Sequence, residues 1–441
     1  MDTPDQARET TLAILDQVFD EAPGQSLEQN FDVRLWDGTV WPEEAVESPA
    51  FTLVINHPGA LCQMFLPPSE LNLGESYIYG DFDVEGDLIA AFPLAAYFEG
   101  MDLGLGDKLG LAWKLRSLPN TSAPREGRQA AAVSGNRHSR DRDRQAISYH
   151  YDISNDFYAL WLDRHMVYSC GYFAHPDQDI HTAQERKLDY ICRKLRLEPG
   201  ERLLDIGCGW GGLAMHAAEH YGVEALGITL SQPQVEFAQR RIAETSLGDR
   251  CRVECLDYRE VTPLAGPGQG PFDKLVSVGM FEHVGEAKMR TYFKRAWDLL
   301  RPKGLFLNHA IARPGWEPKT EGEDTFSNHY VFPDGELTPI SHSLRIAEEL
   351  GFEVRDVESL REHYALTLRH WVRRLEERRE EALEYVNEVT YRIWRLFMSG
   401  SAAGFESARL NVYQALLAKP DPDGSSGLPL TRADLYQEKG G

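Results

Sequence analysis

Two short stretches hold residues suited to chemistry. "DIGCGWGG" places Asp205 at the end of an apolar run and Gly207, Gly209, Gly211 and Gly212 in the turn that follows. Glycine lets a backbone turn sharply and approach a ligand closely, so a strand ending this way suits a nucleotide-like cofactor. The spacing is G-x-G-x-G-G, not the dinucleotide fingerprint G-x-G-x-x-G. A dinucleotide site also wants an acid about 20 residues on for the ribose. Here "GITLSQPQ" offers hydroxyls and amides instead, from Thr229, Ser231 and Gln234. Asp257 ends the next apolar run, "RVECLDY", where an adenine could sit. The second stretch, "VSVGMFEHVG", breaks an apolar run at Glu282 and His283, a titratable pair just past a strand.

The elements that must position these residues can be read from the pattern. From Gln145 onward, strand-like runs alternate with helical ones: "ERLLDI", "LAMHAAEHYG", "VEALGITLS", "QPQVEFAQRRIAET", "RVECLDY", "FDKLVSV", "YFKRAWDLLRPKG" and "GLFLNHAIA". Such alternation predicts an α/β fold with a doubly wound, mostly parallel sheet over residues 145–441. Residues 360–418 read as helical and rich in aromatics, among them Trp371, Tyr385, Trp394, Phe397 and Phe405, and are expected to lid the sheet. Residues 1–120 read as a separate small α+β domain, with "FDVRLWDGTVW" and "FTLVINHP" as strands. Between the two, residues 121–144 are polar and arginine-rich and are expected to form a basic, flexible linker.

Composition narrows the function classes. The chain has 441 residues, is 42% hydrophobic and 26% charged, and carries a formal net charge of -23. That length suggests two domains. That charge argues against broad nucleic-acid binding, which needs a basic footprint. The six cysteines are scattered, and Cys251 and Cys255 have no second pair to make a zinc site, so reduced thiols in a cytoplasm and no metal are expected. The opening stretch lacks a basic and apolar signal pattern, and "LIAAFPLAAYF" is too short to span a bilayer.

The glycine turn with its successive strand ends resembles the class I S-adenosylmethionine-dependent methyltransferases. "SYHYDISNDFYALWLD", "MVYSCGYF", "GITLSQPQ", "GMFEHVG", "NHAI" and "REHYALTLRHW" together resemble the cyclopropane-fatty-acyl-phospholipid synthase family over residues 145–418. The block containing "GESYIYGDFDVEGD" is similar, more weakly, to the small lipid-binding domain that precedes the catalytic domain in bacterial members. The resemblance implies methyl transfer from S-adenosylmethionine to the cis double bond of an unsaturated phospholipid acyl chain, giving a cyclopropane ring. An alkene has no proton to remove beforehand. A base is needed only after transfer, next to a carbocation, in a site that excludes water.

In that family the base is bicarbonate, and the resemblance implies that Cys170, Glu282, His309, a main-chain group of Ile311, and Tyr364 hold it. Glu282 would accept the bicarbonate hydroxyl proton, and His309 and Tyr364 would donate to its oxygens. His283 is expected outside this set, in a local structural bond. Cys170 could instead be a buried apolar filler, and Cys208 is expected to fill space. For the cofactor, motif matching implies Tyr168 and Ser169 at the amino-acid part and Asp205, Gly207 and Gly209 along its path. Thr229, Leu230 and Gln234 are expected at the ribose and Asp257 near the adenine. Tyr151, Phe157, Tyr158, Tyr172 and Phe281 are candidates to face the cation and the acyl chain.

The acyl chain must leave the bilayer to react. "LGLAWKLRSL" and the arginine segment are candidates to rest on the membrane surface, making the protein cytoplasmic and peripherally membrane-associated. A homodimer stays open. So does the product: a hydride shift before proton loss gives a methylene or methyl-branched chain instead of a ring. The same residues also leave room for a small-molecule N-methyltransferase or a non-catalytic lipid-binding protein. The bicarbonate set and the N-terminal block argue against the amine reading, because an amine needs neither.

Overall fold

The structure is a computed structural model that describes residues 4–19, 30–44, 46–100, 104–263, 270–316 and 325–436. It divides into two units. The smaller comprises Met1–Ala130 with the described parts of Gly322–Val331 and Asn387–Ala403, and the larger comprises Ala131–Glu321, Phe332–Val386 and Gly404–Gly441.

The smaller unit holds a four-stranded sheet of β1 (Phe31–Arg34), β2 (Val40–Trp41), β3 (Phe51–Ile55) and β4 (Phe82–Gly86), in the order β2-β1-β3-β4. The stretch "ESYIYGDFDVEG" becomes a helix, Glu70–Tyr79, closed by left-handed Gly80 at φ 86° and followed directly by β4. Part of the C-terminal helix Glu388–Glu406 belongs to this unit. There Arg392 donates to Tyr77 O and to Asp83, each at 2.8 Å.

The larger unit is built on seven strands: β5 (Arg202–Ile206), β6 (Glu224–Thr229), β7 (Cys251–Cys255), β8 (Phe272–Val278), β9 (Leu300–Ala312), β10 (Glu353–Ser359) and β11 (Asn411–Ala418). Their order is β10-β11-β9-β8-β5-β6-β7. β11 pairs antiparallel with both β9 and β10, and the pairs from β9 to β7 are parallel. Successive side chains of a strand point to opposite faces, and both faces of this sheet are covered. Leu203, Leu305, Leu307 and Leu416 pack on one side with the helices Ile180–Lys194 and Gly212–Tyr221. Leu204, Phe306 and Leu417 pack on the other with the helix Met289–Leu299. The order reverses between β5 and β8, so a crevice opens beyond their C-terminal ends, where doubly wound sheets bind ligands.

Two expectations need correction. Residues 360–418 are not wholly helical, because Asn411–Ala418 is a strand inserted between β9 and β10. Its "QALLA" run suits a helix by local preference, but two neighbouring strands overrule that preference. Residues 121–144 are not a bare tether either. Arg125 donates to Asp81 at 2.9 Å, His138 is buried, and a helix runs from Arg140 to Tyr151. That helix is held through charge: Arg142 donates to Asp334 at 2.8 Å, and Asp143 accepts from Arg259 at 2.9 Å. With partners more than 100 positions away, a polar stretch reads locally as linker.

Candidate active site

A cavity lies at the crevice beyond β5, β6 and β8, and the cofactor residues inferred from the sequence meet along its wall. Asp205, Gly207 and Gly209 line it from the glycine turn. Gly207 has φ +80°, and a Cβ there would come within 2.6 Å of Met280 Cβ. Both Gly207 and Cys208 donate their N–H to Ile228 O at 2.9 Å, which pins the turn to β6. Thr229, Leu230 and Gln234 line the next side, with Thr229 Oγ1 bonded to Gln234 Oε1 at 2.7 Å. Asp257 lines the far end, its carboxylate gripped by Arg259 at 2.8 Å. Tyr168 and Ser169 complete the wall.

Sequence reasoning missed two contributors. Lys187 is 1% exposed, lines the cavity and donates to Ser169 Oγ at 2.9 Å. Burial lowers its pKa to about 8, and burial raises that of Asp205 to about 7 against the pull of Lys187. The cavity therefore offers opposite charges in one low-dielectric place. The helix Arg140–Tyr151 adds Asp143 and Ile147 beside Tyr151, which the sequence offers as an aromatic candidate. The signal for Lys187 was a lysine on the apolar face of "TAQERKLDYICRK", beside Ala183, Leu188 and Ile191.

A second cluster adjoins this cavity. Glu282 sits in a single tight turn, Phe281–His283, after β8. Its Oε1 accepts the Ile311 N–H at 2.7 Å, while the sealed Oε2 has no partner among the described residues. Burial raises its pKa to about 7, opposed by the Ile311 N–H. His309, two residues before Ile311 on β9, is 1% exposed, and its Nε2 likewise has no partner. Burial holds its pKa down near 3, so the ring is neutral. Cys170 is fully buried, with Sγ 3.7 Å from Leu360 O, the carbonyl that accepts the Tyr364 N–H at 3.0 Å. Burial pushes the Cys170 thiol up, which is unfavourable for a nucleophile. The Tyr364 hydroxyl is raised by burial and then by the charges of Cys170, Glu282 and Tyr151. Tyr151 feels Glu282 as well, so it joins the cluster to the cofactor cavity.

Other expectations fare differently. His283 lines the cofactor cavity, its ring meets Tyr151 and Phe332 by aromatic contact at 6.3 and 5.6 Å, and its main-chain N–H bonds locally to Met280 O at 3.0 Å. Of the five candidate aromatics only Tyr151 lines the cavity. Phe157 and Tyr158 are fully buried, Phe281 packs on Tyr292 and Phe293, and Tyr172 lies against Tyr190 and His363.

The raised carboxyls have a consequence for stability. Between its unfolded pKa near 4.5 and its folded value near 7, Glu282 binds more protons folded than unfolded. Stability from this group is therefore greatest below the unfolded pKa and is lost as pH rises through about 7. An E282Q variant is expected to melt higher than the parent at pH 8, with the gap closing toward pH 5. Paired calorimetric scans at the two pH values check this.

Sheet and cavity are those of an S-adenosylmethionine-dependent methyltransferase. A model of the mycolic acid cyclopropane synthetase family matches residues 138–415, and a model of a domain of unknown function matches residues 18–97. A probable fatty acid methyltransferase of Pseudomonas putida is 41% identical over 94% of this chain and 98% of its own. The cyclopropane-fatty-acyl-phospholipid synthase of Escherichia coli K12 is 35% identical over 62% of this chain and 68% of its own. Among solved structures, the mycolic acid cyclopropane synthase CmaA1 complexed with SAH and CTAB is 33% identical, with a TM-score of 0.58 over 62% of this chain and 97% of that one. The chain belongs to the mycolic acid cyclopropane synthetase family.

Proposed function

We propose that this enzyme methylates the cis double bond of an unsaturated phospholipid acyl chain and closes the product to a cyclopropane. The observation that carries the reading is a pair of orphans: Glu282 Oε2 and His309 Nε2 are buried beside the cofactor cavity without hydrogen-bond partners among the described residues. Buried polar atoms are seldom left so. A carboxylate oxygen that needs a donor and an imidazole nitrogen that can give one match a small anion carrying both a hydroxyl and bare oxygens. Bicarbonate has that character, and when bound it supplies a base for the proton that leaves after methyl transfer.

The chain's own residues would divide the work. Glu282 orients the hydroxyl of the anion, and His309 and Tyr364 donate to its oxygens. Cys170 closes the pocket as a neutral thiol. The Ile311 N–H is already given to Glu282 and so acts by aiming that carboxylate. Asp205 faces the ammonium of the cofactor's amino-acid part and Lys187 with Ser169 its carboxylate, while Thr229 and Gln234 serve the ribose. The sealed Oε2 of Glu282 supports a place that excludes water, as a cationic intermediate requires.

The smaller unit is proposed to meet the membrane. Among the described residues no helix is long and apolar enough to cross one. On the helix Leu105–Ser117, Leu109 and Trp113 are 65% and 73% exposed, and Lys108 and Arg116 stand exposed nearby. Apolar groups flanked by cations suit an interface with anionic lipid. A variant with Leu109→Ser and Trp113→Ser is expected to bind unsaturated phosphatidylglycerol vesicles about tenfold more weakly. Cosedimentation reads this, and unchanged binding rejects this surface.

A second reading keeps the methyl transfer but leaves the chain branched. It is favoured by the relative that spans nearly this whole chain, which is named a fatty acid methyltransferase and not a cyclopropane synthase. Labelled S-adenosylmethionine and unsaturated vesicles decide between them, because cyclopropane and vinylidene protons resonate in separate regions of the lipid spectrum. Label in neither position rejects both.

A further inference from the structure

The orphan nitrogen of His309 can act as a donor only if the proton of the neutral ring sits on Nε2. A buried row of side chains decides this. Gln414 on β11 lies directly across from His309 on β9, and Glu358 on β10 lies directly across from Gln414. Lys194, from the end of the helix Ile180–Lys194, reaches into the row and is fully buried. Its Nζ contacts the Glu358 carboxylate, stands 3.7 Å from that of Asp356, and donates to Gln414 Oε1 at 2.9 Å. Flanked by these carboxylates it is an ammonium, which has hydrogens to give and no lone pair. The Gln414 amide must therefore turn its oxygen to Lys194 and its NH2 to His309. That NH2 lies 3.2 Å from Nδ1. Nδ1 consequently accepts, and the one ring proton goes to Nε2.

We propose that Gln414, locked by Lys194, is a positioning residue that fixes His309 as the Nε2–H tautomer and so makes it a hydrogen-bond donor to the bound anion. The part concerning the anion rests on the bicarbonate reading above, and the part concerning the tautomer does not. The row also explains a lysine and a glutamine under an otherwise apolar sheet face: burying them is costly unless their partners are complete.

The informative variant is Gln414→Glu, which keeps size and shape. A carboxylate has no hydrogen to give to Nδ1 and must receive one, so in the neutral ring the proton moves to Nδ1 and Nε2 becomes an acceptor. Two-bond nitrogen–proton correlations on protein labelled with [15N]histidine read the tautomer without turnover, and H309Q assigns the resonance. The wild type is expected to show Nε2–H and Q414E to show Nδ1–H; a charged ring in Q414E would keep the Nε2 donor and should leave the bicarbonate dependence near that of the wild type. In bicarbonate-controlled buffer, the concentration for half-maximal methyl transfer should rise about tenfold or more, as for losing a hydrogen bond to a charged group. Affinity for S-adenosylhomocysteine should stay within about twofold of the wild type. If Q414E misfolds, K194M, which frees the amide to flip, should show a mixture of tautomers. An Nδ1–H tautomer in the wild type overturns the proposal, as does an inverted tautomer with unchanged bicarbonate dependence. If wild-type methyl transfer ignores bicarbonate altogether, the bicarbonate reading fails instead, and the tautomer data still judge the role of Gln414.

Discussion

On the bicarbonate reading, an E282Q enzyme is expected to transfer methyl groups to lipid acyl chains about 100-fold more slowly than the parent, or worse, yet to bind S-adenosylhomocysteine within about threefold of it. The change is isosteric. Glu282 has one oxygen on the Ile311 N–H and the other sealed without a partner among the described residues. In the variant the amide oxygen keeps the Ile311 bond, and the NH2 then faces the position where an acceptor is needed. On the proposed reading two donors would then meet, and the anion would lose its orientation. The pH dependence should agree: with the Glu282 pKa near 7, methyl transfer by the parent rises as pH climbs through that value, and the variant lacks this limb. Initial rates with labelled cofactor, with calorimetric titration of S-adenosylhomocysteine alongside, make the measurement. Full activity in folded E282Q would dismiss the anion site. The variant should also be the more stable protein above pH 7, which is the signature of a residue kept for chemistry and not for folding.

The second large effect lies at the glycine turn. Gly207→Val is expected to weaken S-adenosylhomocysteine binding by about 30-fold or more. Gly207 has φ +80°, a region that costs a β-branched residue about 1–3 kcal/mol. The added Cβ would also stand 2.6 Å from Met280 Cβ, and both residues line the cofactor cavity. Relief requires either the turn or the segment after β8 to shift, and each forms part of the wall. Met280→Ala should not rescue, because alanine retains the Cβ that clashes. Calorimetric titration of the two variants and their combination tests this. Near-normal affinity in G207V would mean that the cofactor does not run along this turn.

The doubly wound sheet was legible because its signals are local. "RLLDI", "EALGIT" and "FDKLVSV" are short apolar runs, each followed by a turn or cap signal. β11 was not legible, because its strand state comes from two neighbours distant in sequence. The cofactor wall was traceable through residues that sit at strand ends or in the glycine turn, and its roof was not. The helix Arg140–Tyr151 is polar, and it is held by Arg259 and Asp334, more than 100 positions away. Lys187, Lys194 and Gln414 went unnoticed for a related reason. Each is a single polar residue in an apolar pattern, and only the fold shows that they face Ser169, Glu358 and His309. Of the aromatic candidates, residue type alone could not separate Tyr151 at the cavity from Phe157 and Tyr158 in the core.

The smaller unit is assembled from three stretches of chain, two of them lying far downstream of the first. A gene cut near codon 130 would not yield two independent modules. The upstream product would lack Arg392, and the downstream product would carry Arg392 stripped of Tyr77 and Asp83. Exchange of the front end between relatives by simple recombination is therefore penalised unless the helix Glu388–Glu406 travels with it, so the two ends of the coding sequence are expected to change in concert.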